Sequence, residues 1–99
     1  MDRGTSITPQ AALLRVLITG ESDGSELRRK IRTWTGGEID LDEPGFLAAT
    51  NALKSKGMVE QHSSAADKRT GQPRLTYALT PAGHAAAMAV LAASLTRKN

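Results

Sequence analysis

The sequence predicts a mainly α fold with a small β-hairpin, closed by a C-terminal helix. Three stretches carry that prediction. Residues 9–19, PQAALLRVLIT, are apolar around most of a helical circumference, interrupted mainly by Arg15. Residues 25–35, SELRRKIRTWT, place Leu27, Ile31 and Trp34 at i, i+4 and i+7, a single apolar stripe. Residues 74–80, RLTYALT, alternate Leu75, Tyr77 and Leu79 with polar or small neighbours, which is strand spacing, and then meet Pro81 and an alanine-rich helical composition.

Taken in order, Thr8 and Pro9 open the first helix as N-cap and first helical residue. Gly20 ends it, and ESDG reads as a loop. Ser25 is the expected cap of the second helix, with Trp34 in the core and Gly36-Gly37 as the stop. Glu38–Leu41 reads as a short strand leading through acidic residues to Pro44. Residues 44–56 form the third helix, and Gly57 suits a left-handed C-cap. Phe46, Ala49, Thr50 and Leu53 share its inner face, while Pro44, Ala48, Asn51, Ala52 and Ser55 lie opposite, a small and nearly uncharged surface. Met58–Ser63 is a strand, SAADKRTGQP a polar and basic turn, and RLTYALT the returning strand. Pro81 begins the final helix, which runs to about Thr96 with Met88, Leu91 and Leu95 on one stripe and Val90 beside it.

The totals agree with one small domain. A chain of 99 residues buries only roughly 60–65% of its unfolded surface. With 3% aromatic residues the core must come from Leu, Ile, Val, Ala and Met, and such a modest core gains from dimerising. Cysteine is absent, so disulfide and thiol chemistry are excluded. His62 and His84 stand alone without metal-ligand spacing, and neither a Gly-rich phosphate loop nor a nucleophile motif is present. No catalysis, metal or cofactor is expected. The N-terminal residues lack an apolar signal core and the apolar C-terminal run is too short for a bilayer, so the expected location is the cytoplasm, away from the membrane. The expected division is a flexible N-terminus (1–8), one compact unit (9–80) and a C-terminal dimerisation helix (81–99).

Three helices followed by a two-stranded hairpin is the order of a winged helix-turn-helix, in which the third helix enters the major groove of DNA and the hairpin is the wing. The net charge of +3 is compatible with a nucleic-acid partner. The same order also serves modules that dock on proteins through the wing or the alanine face. Here the sequence resembles the PadR-like transcriptional regulators over roughly residues 10–95, with a wing that also resembles the MarR family. Four stretches carry the resemblance: ALLRVLITGESDGSELRRKIRTWTGG, EPGFLAATNALKSKGMVEQ, DKRTGQPR and LTYALTPAG. The last matches a common Y-x-L-T-x-x-G ending. Gly45-Phe46-Leu47-Ala48 stands where the family usually carries Thr-Leu-Tyr-Pro, Ala52 where arginine is common, and Ser25 where an aromatic is usual.

Several roles follow as expectations. In the recognition helix (44–56), Asn51 can pair with adenine, Ala48 or Ala52 can pack on a thymine methyl, and Lys54 can meet a phosphate. In the wing (64–75), Lys68, Arg69 and Arg74 reach phosphates or the minor groove, or else remain a solvated loop. Arg28 and Arg32, one turn apart on the second helix, and Ser25 at its start are further phosphate contacts, whereas Arg29 and Lys30 read as surface charges. The first and last helices are the candidate dimer interface, as the resemblance also implies, through Leu13, Leu14, Leu17, Ala85, Met88, Leu91, Ala92 and Leu95. The last helix can alternatively cover its own subunit's core. A two-fold dimer implies an inverted-repeat operator in double-stranded DNA and suits a repressor; no residue selects an effector.

Overall fold

The computed structural model describes residues 7–66, 71 and 73–96, and side chains over 7–63, 71 and 75–93. The chain runs α1 (Pro9–Leu17), β1 (Ser22–Asp23), α2 (Gly24–Trp34), α3 (Glu43–Ser55), β2 (Val59–Ala66), β3 (Pro73–Leu79) and α4 (Pro81–Thr96). This is a winged helix-turn-helix with a following helix.

Short-range chemistry sets most element ends. The Thr8 hydroxyl accepts the Ala11 N–H at 3.1 Å, and Pro9 occupies a position where no donor is needed. The Asp42 carboxylate accepts the Gly45 N–H at 2.8 Å and starts α3. That helix ends in a left-handed glycine: Gly57 has φ 75°, its N–H donates to the Lys54 carbonyl at 3.0 Å, and the Met58 N–H donates to the Leu53 carbonyl at 2.9 Å. The cap of α2 corrects the sequence expectation. Asp23 holds the extended cap conformation and accepts the Glu26 N–H at 2.8 Å, so Ser25 lies within the first turn, exposed.

The sheet has the order β1-β3-β2, all antiparallel. Its third strand is the segment before α2, and Glu38–Leu41, expected as a short strand, forms none. Ser22 pairs with Tyr77 and Asp23 with Thr76, filling the open edge of β3. Residues 38–41 instead form the irregular link to α3. There the Thr35 hydroxyl donates to the Ile31 carbonyl at 2.8 Å and accepts the Ile39 N–H at 3.0 Å. Ile39 and Leu41 pack on the core rim. The hairpin strands are longer than expected: β2 extends past Ser63 through an irregularity to Ala66, which pairs with Pro73.

The other three helices all pack on α1, which explains its breadth of apolar surface. Ala12, Leu13, Leu14, Val16 and Leu17 join Leu27 and Ile31 of α2, Phe46, Ala49 and Leu53 of α3, Val59, Tyr77 and Ala87 in one cluster. Phe46 meets Tyr77 edge-on, with ring centroids 5.5 Å apart and planes at 82°. Thr50, buried among them, donates to the Leu47 carbonyl at 3.1 Å, so its hydroxyl is satisfied inside its own helix. Trp34 departs from its expected core position. It is 39% exposed, because it ends α2 beyond the buried Leu27–Ile31 stripe, and its ring lies under the Arg15 guanidinium at 5.3 Å.

Candidate nucleic-acid interface

The inner face of α3, Phe46, Ala49, Thr50 and Leu53, is buried as its periodicity demands, and this turns the opposite face outward. On that face Ala48, Asn51, Lys54 and Ser55 are exposed and Ala52 is half-buried. Leu47, which the sequence reading left out, is also there at 42% exposure, one turn from Asn51. The signal that could have found it is its i, i+4, i+7 spacing with Asn51 and Lys54. The Lys54 ammonium donates to Gln61 Oε1 at 2.6 Å, which ties the end of α3 to β2.

On α2, Ser25, Arg28 and Arg32 share one flank at i, i+3 and i+7. Arg28 is half-buried, whereas Arg32 faces Asp40 Oδ1 at 3.6 Å with both side chains more than half exposed. That contact contributes little in water. It does place a carboxylate from the acidic link beside one of the expected phosphate contacts. Arg29 and Lys30 each lie 3.9 Å from Glu26, and Lys30 also donates to the Thr19 and Ser22 hydroxyls at 3.2 and 3.4 Å.

At the wing, Lys68, Arg69 and the side chain of Arg74 lie outside the described residues. Its base contains a grouping absent from the sequence reading, in which His62 stood alone. His62 Nδ1 lies 3.0 Å from Glu21 and its Nε2 lies 3.2 Å from Glu60, while the Thr76 hydroxyl donates to Glu21. Hydrogen bonding to Glu60, then to Glu21, raises the His62 pKa above its ordinary value. The Thr76 hydroxyl, then His62, lowers that of Glu21. Glu21 and His62 are 41 positions apart, and the β1-β3-β2 order alone brings them together. Because both ring nitrogens are already spent on separate carboxylates, the three do not converge on one point. Among the described residues no group of three or more His, Cys, Asp or Glu is arranged to hold a metal ion.

The two helices expected at a dimer interface differ. Leu13, Leu14 and Leu17 are only 0, 6 and 2% exposed in the single chain, so they are spent on its own core and have no surface left for a partner. On α4 the inner side is Gly83 and Ala87, whereas Ala85, Met88 and Ala92 are exposed and Leu91 is half-buried. The Leu95 side chain lies outside the described residues. Among the described residues no helix is long and apolar enough to cross a membrane.

Comparison with known proteins matches this arrangement. Residues 13–89 fit the model of the transcriptional regulator PadR-like family. Among solved structures the chain is similar to a transcriptional regulator from Clostridium thermocellum, at 24% identity over 90% of this chain and 85% of that one, with a TM-score of 0.68. It is similar to RosR of H. salinarum at 27% identity over 97% of this chain and 80% of that one, TM-score 0.68. It shares the fold of the circadian clock associated protein Pex from Anabaena, at 22% identity over 94% and 85% of the two chains, TM-score 0.65. Among curated proteins no sequence matches. With the helix order, the outward α3 face and the wing in place, the chain belongs to the PadR-like family of transcriptional regulators.

Proposed function

We propose that this DNA-binding regulator acts as a homodimer that recognises an inverted-repeat operator and represses transcription by occupying it. The observation that carries the reading is the outer face of α3. A helix surface of Ala48, Asn51 and Ala52 is poor as a solvent face, yet it suits a helix that must lie deep in a groove. Asn51 reads adenine, and Ala48, Ala52 and Leu47 pack on thymine methyls. Lys54, at the edge of that face, meets a phosphate, and Arg28, Arg32 and Ser25 on α2 meet the backbone beside it. Lys68, Arg69 and Arg74 complete the contact at the wing.

The dimer forms through the outer side of α4, residues 81–99 serving as the dimerisation segment. Ala85 and Ala92 permit close approach beside Met88, Leu91 and Leu95, and the exposed methionine gains by being covered. Two recognition helices then lie about one turn of DNA apart, roughly 34–36 Å.

Selection from a random duplex pool, followed by sequencing of the bound fraction, tests this. An enriched inverted repeat, with affinity falling about 0.9 log units per phosphate contact for each log unit of salt, is the expected result. A single enriched half-site removes the symmetric dimer. Retention without enrichment, lost at moderate salt, rejects sequence-specific recognition and favours a module that docks on proteins.

A further inference from the structure

The acidic link between α2 and α3 fixes the position of one carboxylate that caps no helix. Ile39 and Leu41 pack on the core rim, and the Ile39 N–H donates to the Thr35 hydroxyl at 3.0 Å. Asp40, held between them, is exposed. Asp42, two residues on, has a structural task, accepting the Gly45 N–H at the start of α3. The partner of Asp40 among the described residues is Arg32, with Oδ1 3.6 Å from Nη1 and the side chains 64 and 54% exposed.

We infer that Asp40 competes with DNA phosphate for Arg32 and so acts as a built-in brake on the electrostatic part of DNA binding. The inference rests on the proposed contact of α2 with the DNA backbone. A comparison among the expected phosphate contacts supports it. Arg28, one turn earlier on the same flank, has no carboxylate partner among the described residues. Lys54 is held by the neutral amide of Gln61 at 2.6 Å. Of the three, Arg32 alone meets an acid.

A guanidinium takes a carboxylate or a phosphate through the same donors, so Asp40 stands where a phosphate oxygen would. Binding DNA through Arg32 exchanges one anion for another and leaves the displaced carboxylate beside a polyanion. Exposed ion pairs are weak, so Asp40 lowers affinity without blocking it. The pair also carries no net charge. It therefore releases no extra counterion from the duplex, and the share of Arg32 is missing from the salt dependence. This penalty is blind to base sequence. It loosens the hold on bulk DNA, where backbone contacts supply essentially all the affinity.

A fluorescent mixed-sequence duplex, long enough for two half-sites one turn apart, is titrated from low to moderate salt. The full chain is compared with Asp40→Asn, Arg32→Gln, the double variant and Arg28→Gln. Asp40→Asn should bind about 3- to 5-fold more tightly per bound chain and steepen the salt slope by about 0.9 per chain. Its thermal unfolding midpoint should not move, because the side chain is exposed. With Gln at position 32 the same change should gain at least about 2-fold less, since only repulsion by phosphate is then relieved. An equal gain in both backgrounds would make Asp40 a general repulsive charge and overturn the competition at Arg32. Unchanged or weaker binding by Asp40→Asn overturns it as well; if Arg28→Gln still loses affinity, the α2 contact itself stands. If neither arginine variant alters binding, or no protein binds the duplex, the α2 contact fails and the inference with it.

Discussion

The backbone carbonyl of Met58 occupies the space a side chain on Gly83 would need: a Cβ there would sit 1.8 Å from the oxygen. This close approach is what the LTYALTPAG stretch builds. The Thr80 N–H donates to that same carbonyl at 3.0 Å, its hydroxyl donates to the Gly57 carbonyl at 2.6 Å, and the same hydroxyl accepts the Gly83 N–H at 3.0 Å. Thr80 thus starts α4 and pins it to the root of the wing in one place. Gly83→Ala should cost at least about 2 kcal/mol, since backbone rather than a movable side chain must give way. Thermal unfolding should show a fall in Tm of roughly 8 °C or more. An unchanged Tm would mean that α4 is not held against Met58.

The cap of α2 separates stability from contact. Asp23→Ala removes the acceptor of the Glu26 N–H and should cost about 1 kcal/mol in urea unfolding. Ser25→Ala, in the exposed first turn, should leave the unfolding midpoint within about 0.5 kcal/mol while lowering DNA affinity. Equal losses of stability in the two variants would return the cap to Ser25.

His62 makes stability depend on pH in a definite direction. Its folded pKa is raised by Glu60 and Glu21, so the stabilisation is fully present below the unfolded value of about 6.5 and is lost as pH rises through the folded pKa. Glu21 is lowered, so its contribution is present above the unfolded carboxylate value and lost as pH falls. His62→Gln should therefore narrow the gap to wild type in urea midpoint between about pH 6 and pH 8, the wild type being ahead only at the lower end. A gap independent of pH over that window would show that the imidazole is not held by its two carboxylates.

At the DNA face, Asn51→Ala should relax base preference at one position of the selected site and weaken that site by about 1–3 kcal/mol, with little effect on non-specific binding. Arg28→Gln should instead weaken all sequences alike and reduce the salt slope by about 1. Titrations at several salt concentrations distinguish the two. Identical behaviour of both variants would remove Asn51 as a base-reading residue.

Met88→Glu tests the α4 interface. The side chain is exposed in the single chain, so the variant should keep its thermal unfolding midpoint at low concentration yet sediment as a monomer. A dimer that persists in this variant would place the interface elsewhere.

Local chemistry alone specified α1, α3 and α4. Thr8-Pro9, Gly57 and Pro81 punctuate the chain within a few residues of their effect, and the 3.6-residue period of Phe46, Ala49, Thr50 and Leu53 set which face of α3 turns outward. The resemblance in LTYALTPAG pointed to the same family that the match over 13–89 establishes. Three outcomes needed the assembled chain. The edge of β3 was claimed by Ser22–Asp23 rather than 38–41, because strand pairing depends on which segment reaches the open edge, not on its own propensity. Trp34 came to the surface because apolar periodicity gives a direction but not the depth of the neighbour it faces. Glu21, His62, Glu60 and Thr76 met across separations of up to 55 residues, where no spacing rule operates and only the register of the folded sheet decides who touches whom.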